Sequence, residues 1–242
     1  MLSLERQESY RRRYAAAHPG WQPASAIYRD WVAAHLAPGV RVLDLGCGRG
    51  GVLEELAPRA GLAVGADPDP VSLRQHRLPT LPRVCAGAEA LPYPDCSFDL
   101  ICCSWVLEHL PDPQSALRQV ARLLAPGGRF VFLTPNSRNP LLLLNRTLGR
   151  WAGSRPVRRV YGRAEADTFP AFYRANTPAR LRALLRAAGL QPVRIVLVSD
   201  PTYLALNDSL YRLAVLLERL VLPAQRVHLV GEACSPLPSM VE

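Results

Sequence analysis

The sequence predicts an α/β fold: a mostly parallel sheet flanked by helices, with an N-terminal helical cap and an insertion after the fifth strand. Three observations carry this expectation. From Val40 onward, short apolar runs alternate with amphipathic stretches, the pattern of βαβ units around a parallel sheet. The first run ends in a glycine cluster, "VRVLDLGCGRGG", where a strand-to-helix turn needs backbone freedom. And 242 residues, 49% of them hydrophobic and 20% charged, are enough to bury the core of one such unit.

Taken in order, residues 1–38 read as helices broken at "HPGWQP". Strands are expected at 40–45, 62–66, 82–86, 98–103 and 129–134, and helices near 51–57, 70–76 and 112–124. In the last of these Leu117, Val120, Leu123 and Leu124 recur at helical spacing, and "PGG" at 126–128 should stop it. An arginine-rich insertion, 137–176, follows. Regular structure resumes with "NTPARLRALLRAAGL": Thr177 suits an N-cap and Pro178 the first helical turn. Leu181, Leu184, Leu185 and Ala188 share one face, and Gly189 ends the helix. Strands near 191–198 and 226–231 bracket a helix at 207–222, with Leu210, Leu213, Leu217 and Leu220 as its apolar row.

Composition narrows the function classes. No window approaches the roughly 18 uncharged apolar residues of a membrane span; "LLLL" at 141–144 and "LAVLLERLVL" at 213–222 are short or broken by charge. The first residues, "MLSLERQESYRRR", lack a signal peptide's apolar core. A cytoplasmic location is therefore expected, compatible with peripheral contact at a membrane surface. The six cysteines form no C-x-x-C pair, which disfavours zinc, and free thiols are expected. The net charge of +9 comes from arginine alone, since the chain has no lysine. Arginine-, alanine-, proline- and leucine-rich usage points to compositional bias, so the total charge is weak grounds for nucleic-acid binding. Its distribution says more: residues 137–176 hold eight arginines against two acids, which suits an anion.

The glycine loop admits two ligands. Gly46, Gly48 and Gly51 fit the G-x-G-x-x-G dinucleotide pattern, yet Asp44 sits two residues before the first glycine. A carboxylate there would repel a phosphate and attract an ammonium or sulfonium group. The alternative is that Asp44 caps a neighbouring turn.

At this point the chain resembles a known family. "VLDLGCGRG" is similar to the first motif of class I S-adenosylmethionine-dependent methyltransferases. "VGADPDP" (64–70), "GAEALPYPDCSFDLICCSWVLEHLPDP" (87–113) and "LLAPGGRFVFLTPN" (123–136) resemble its later motifs in order. The resemblance implies a Rossmann-like, seven-stranded sheet with an antiparallel last strand, and S-adenosyl-L-methionine as methyl donor. It divides the chain into an N-terminal cap, 1–38, and a methyltransferase domain, 39–242. It implies that Asp44 and the loop residues Gly46, Cys47, Gly48 and Gly50 hold the methionyl part and that Asp67, followed by Pro68, holds the ribose. Ala88 and Glu89 would lie along the adenine, and Ser104 and Trp105 would flank the methyl group. Glu89 could instead face solvent, leaving only its backbone to act.

Methyl transfer needs alignment, exclusion of water and, for a hydroxyl acceptor, a base. His109 is the candidate base, since it follows the strand that ends at the methyl position; the alternative is that Glu108 and His109 anchor the next helix. "LEHLPDPQS" resembles ubiquinone-pathway O-methyltransferases. An E-x-x-E-H motif supplies metal ligands in small-RNA 2′-O-methyltransferases, but here Trp105 stands where its first carboxylate would be. No metal is expected. Acceptor contacts are expected from Tyr14, Trp21 and Tyr28 of the cap and from Arg138, Tyr173 and Arg174 of the insertion. The insertion's other aromatics, Trp151, Tyr161, Phe169 and Phe172, serve either the acceptor or packing. "YRANTPARLRALLRAAGL" loosely resembles methyltransferases of envelope saccharides or lipid-linked intermediates. The expected acceptor is a small molecule or a lipid- or saccharide-linked one, with O-methylation favoured and arginines suited to an anionic group. The alternatives are an RNA methyltransferase using the arginine patch, which is disfavoured, and a cofactor-binding regulator without turnover.

Overall fold

A computed structural model describes residues 4–144 and 169–237. Two helices, α1 (Leu4–Ala17) and α2 (Ala24–Ala34), precede the first strand, β1 (Arg41–Leu45). The chain continues as α3 (Leu53–Leu56), β2 (Leu62–Asp67), α4 (Pro70–Arg74), β3 (Arg83–Cys85), β4 (Phe98–Ser104), α5 (Pro113–Leu123) and β5 (Leu124–Pro135). After the undescribed stretch come α6 (Pro178–Ala187), β6 (Gln191–Val198), α7 (Asp208–Glu218) and β7 (His228–Cys234).

Among the described residues seven strands join one sheet in the order β3-β2-β1-β4-β5-β7-β6. The pairings from β3 through to β5 are parallel, and β7 is antiparallel to both its neighbours. Strand direction of winding reverses between β1 and β4, and ligands of such sheets bind beyond the carboxyl ends at that point. Strand alternation explains the two cores. Leu43, Ile101, Phe130 and Phe132 face α5 and α6, meeting Leu117, Val120, Leu181 and Leu185. Val42, Leu100, Val131 and Leu133 face the other way, onto Tyr28 and Val32 of α2 and Leu53 and Leu56 of α3.

Local chemistry sets the helix ends. Asp112 accepts from the Gln114 and Ser115 amides ahead of Pro113, and Thr177 accepts from the Arg180 amide ahead of Pro178. Gly189, at φ 86°, closes α6 as expected.

Three expectations need correction. The Pro-Gly-Gly run does not separate α5 from its strand: β5 starts at Leu124, pairs there with Phe98, and runs through it with a register irregularity. The last strand, β7, extends past Gly231 to Cys234, because it pairs with β5 as far back as Arg129 and with β6 as far back as Gln191. The leucine row of α7 does not face the core. Tyr211 and Ala214 turn inward, with Tyr211 stacked 4.7 Å from Tyr10 of α1, so Leu213, Leu217 and Leu220 point to solvent.

Candidate functional site

The turn after β1 is held to β2 before any ligand is considered. The Gly46 and Cys47 amides both donate to the Ala66 carbonyl, at 2.7 and 3.2 Å, and the Gly50 amide donates to Cys47. Gly46, Gly48 and Gly50 have φ of 79°, 47° and 128°, the left-handed side that glycine adopts freely. At Gly46 there is a second requirement, since a Cβ would overlap the Val106 side chain just past β4. We expect Gly46→Ala to destabilise the fold by about 2–4 kcal/mol, from unfavourable φ plus overpacking. Adding Val106→Ala should restore part of that loss in a thermal melt, because only the overlap is relieved.

The carboxyl ends of β1 and β2 present two acids. Asp67 accepts from the Gly48 amide (3.0 Å) and the Asp69 amide (2.8 Å), bracing the loop while leaving lone pairs free. Burial raises its pKa, opposed by those two amides. Asp44 is only 3% exposed. Burial lifts its pKa to about 7, partly offset by the Cys102 thiol and reinforced by the charges of Asp67 and Glu54. A buried acid of this kind is stabilised by a cation placed over it. The Cys47 thiol is turned away against Gly65, and burial pushes it up to about 12, so Cys47 shapes the loop and carries no reactive thiolate. The other five cysteines are also unpaired.

Next to this edge lies the turn after β3, where Ala88 is buried and the half-buried Glu89 bends its carboxylate back over Gly87. The Pro68 carbonyl faces the Cys85 thiol at 3.5 Å. At the end of β4, Ser104 and Trp105 wall a cavity of about 350 Å³ with Tyr28, Val52 and Leu133, and with Glu8, Ser25 and Arg29. Trp105 holds φ 60°, a conformation non-glycine residues seldom adopt, fixed by its amide on the Leu133 carbonyl at 2.9 Å. Its indole meets the His228 ring edge-on at 5.2 Å, and His228 Nε2 lies 2.8 Å from the Tyr203 hydroxyl. Burial lowers the His228 pKa to about 4, so this wall is neutral at physiological pH.

Four residues past Trp105, His109 faces the segment that returns from the insertion. Its Nδ1 is 2.9 Å from the Pro170 carbonyl, so Nδ1 carries the proton and Nε2 keeps its lone pair. Nε2 lies 4.0 Å from a carboxylate oxygen of Glu108. Glu108 is buried and accepts from Thr134 Oγ1 at 2.9 Å, which in turn accepts from Asn176 Nδ2 at 2.6 Å. The Glu108 carbonyl takes the Phe172 and Tyr173 amides, and Tyr173 sits at φ 54°. Glu108 therefore anchors the returning segment and not the next helix, which Asp112 caps, while His109 Nε2 keeps its lone pair. Among the described residues no cluster of three or more His, Cys, Asp or Glu side chains could hold a metal ion.

Several expected acceptor residues point elsewhere. Of the cap aromatics only Tyr28 lines the cavity. Tyr14 packs against His18 and Trp21, and the Trp21 indole donates to the Ser199 carbonyl, because α1 needs apolar contacts to dock on residues 199–211. Arg174 donates to the Pro111 carbonyl and lies over Phe172, 5.6 Å from its centroid, which leaves its guanidinium bracing a loop. Arg138 is exposed, and its amide is tied to Asn136 Oδ1. Trp151, Tyr161 and six of the insertion's eight arginines lie outside the described residues. Sequence reasoning missed Leu133, Thr134, Asn176 and His228, which reach the site only through strand pairing and the returning segment.

A family model described as a methyltransferase domain matches residues 8–195. The chain belongs to the methyltransferase-domain family. Two similar proteins are ubiquinone biosynthesis O-methyltransferases. That of Ralstonia nicotianae is 36% identical over 199 residues, covering 74% of this chain and 79% of its own. That of Stutzerimonas stutzeri is 34% identical over 170 residues, 66% and 69% of the two chains. Among solved structures, an S-adenosylmethionine-dependent methyltransferase from Mesorhizobium loti superposes with a TM-score of 0.62 at 19% identity, over 88% of this chain and 98% of that one. Geranyl diphosphate C-methyltransferase from Streptomyces coelicolor A3(2), solved with Mg²⁺, geranyl diphosphate and S-adenosyl-L-homocysteine, gives 0.61 at 14% identity over 86% and 77%. The [4+2]-cyclase SpnF gives 0.58 at 19% identity over 88% and 82%, so the shared fold alone does not name a reaction. Family and relatives together do: the protein is an S-adenosylmethionine-dependent methyltransferase, and neither the RNA-directed nor the non-catalytic alternative is favoured.

Proposed function

We propose that this methyltransferase methylates a hydroxyl of a small acceptor, free or lipid- or saccharide-linked, in the cavity between Tyr28, Trp105 and Leu133. The observation that carries this reading is that cavity. It holds about 350 Å³, the size of a small ring system, and it opens beside the β1–β4 switch point with Tyr28, Trp105, Val52 and Leu133 among its walls and with Glu8, Ser25 and Arg29 adding polar groups. The similar ubiquinone biosynthesis O-methyltransferases support oxygen as the accepting atom.

The donor set fits S-adenosylmethionine. Asp44 would face its cationic end, the open backbone at Gly46 to Gly50 would admit its methionyl part, and the remaining lone pairs of Asp67 would take ribose hydroxyls. Ala88 and Glu89 would border the adenine. When bound, the cofactor supplies a methyl group already activated by positive sulfur. The protein's part is to orient and dry the acceptor against Ser104 and Trp105; His109, which does not itself line the cavity, would receive the proton at Nε2 from a hydroxyl projecting past Trp105.

The test is incubation with methyl-labelled cofactor and fractionated cell extract. Label should enter a small-molecule, saccharide or lipid fraction; label in none of them overturns the reading. Asp67→Ala should weaken S-adenosylmethionine binding by about tenfold or more in calorimetry, since both ribose contacts and the brace on Gly48 are lost. Unchanged affinity would remove Asp67 from this role.

A further inference from the structure

We propose that α7 is an interfacial helix that seats the enzyme on an anionic lipid bilayer. A helix normally turns its leucines inward, yet here the apolar row is bare. Leu213, Leu216 and Leu220 are 48%, 57% and 76% exposed, and Leu222 just beyond the helix is 62% exposed. Leu210 and Leu217 extend the patch along one flank. Together these side chains leave on the order of 500 Å² of apolar surface in water, the upper end of what a monomer shows without a binding role. The inward face is already satisfied by Tyr211 and Ala214 against α1, so the leucines have no place in the core.

Charge says which partner fits. At 100° per residue Arg212 and Arg219 fall together on the flank opposite Leu210 and Leu217, and both are exposed. On the same side α1 carries exposed Arg12 and Arg13, the latter over the Tyr211 ring at 5.2 Å and paired at 3.4 Å with Asp208 at the start of α7, so Arg12, Arg212 and Arg219 carry the flank's positive charge. An open groove of about 700 Å³ between the two helices is lined by Arg6, Arg12 and Arg13 along with Glu5 and Asp208. An apolar stripe bordered by arginines is what lies flat in the boundary between acyl chains and anionic headgroups. No helix among the described residues is long and apolar enough to cross a membrane, so the contact is peripheral.

Position gives the contact a purpose. The turn at Pro201–Leu204, which leads into α7, carries Tyr203; this residue meets His228, and His228 meets the cavity wall at Trp105. A bilayer against α7 would hold the cavity close to a lipid-embedded acceptor. The inference deepens the acceptor reading proposed above and rests on it for that purpose alone. Vesicle binding is measured without cofactor or acceptor, so the two fail separately.

The experiment is flotation of the purified full chain with phosphatidylcholine vesicles, with and without phosphatidylglycerol. The wild type should float with the anionic vesicles, less with neutral ones, and less as salt rises. The triple variant L213E/L216E/L220E should lose about tenfold or more of this binding with its melting temperature kept, because the changed side chains are exposed. R212E/R219E should lose the preference for anionic lipid. Failure of the wild type to float, or equal flotation of the leucine variant, overturns the proposal. So does a wild-type dimer that the leucine variant splits with no change in flotation, which would assign the face to a second copy of the chain.

Discussion

Asp44→Asn should make the ligand-free enzyme melt higher than the wild type at pH 8 while removing most of its affinity for S-adenosylmethionine. The two effects have one cause. Asp44 is buried at the end of β1, and its pKa stands at about 7 against an ordinary 3.8. The folded chain therefore holds this proton more tightly than the unfolded chain does. Below about pH 4 the group costs nothing. As pH rises from there to about 7 the native state loses stability, and above about 7 the loss levels off at about 4 kcal/mol. Asparagine removes that penalty but brings an amide that also wants partners. A net gain of about 5 °C at pH 8 is expected, shrinking to nothing near pH 4.

Ligand binding runs the other way. A sulfonium or ammonium beside Asp44 favours the carboxylate, so below about pH 7 binding must expel a proton. Wild-type affinity should rise with pH up to about 7 and then flatten. The variant should show little pH dependence from this group and a plateau about 30-fold weaker or more. Paired melts and calorimetry between pH 5 and 8.5 check both halves. A variant that is less stable at pH 8, or that binds the cofactor as tightly as the wild type, would show that Asp44 serves the fold and not the ligand.

The glycine loop and its two acids are legible in the sequence because their geometry is local. Glycine spacing, the acid before it and the acid ending the second strand all lie on one continuous βαβ unit, and backbone geometry follows from residue type there. The acceptor half depends on what the chain meets later. Tyr14 and Trp21 look like cavity aromatics until α1 docks on residues 199–211 and uses them as glue. Helical spacing identified the leucine stripe of α7, but spacing cannot say which of two faces meets the core. The Tyr10–Tyr211 stack decides it, across some 200 residues of chain. Arg174 likewise read as an anion fork because the Pro111 carbonyl, 63 positions away, was out of view. Glycines and caps are legible in sequence; the destinations of long side chains are set by topology.

His109 is where a local motif and a distant contact meet, and its substitution should cost the most activity. If Nε2 takes the acceptor's proton, His109→Ala should lower kcat by about 10²- to 10³-fold with little change in the KM for cofactor. Loss of rate alone would not separate chemistry from support, because His109 also holds the Pro170 carbonyl through Nδ1. His109→Asn separates them. An asparagine amide can donate to Pro170 from nearly the same place as Nδ1, yet it offers no basic nitrogen. A base at position 109 predicts that the asparagine enzyme is as slow as the alanine enzyme. A strap predicts that asparagine restores most of the rate, and that result would overturn the catalytic role. The buried Glu108–Thr134–Asn176 chain gives the matching control. Glu108→Gln keeps an oxygen for Thr134 and removes the negative charge 4.0 Å from Nε2. It should therefore weaken kcat while leaving cofactor affinity in place, since the charge favours the imidazolium that forms as the proton arrives.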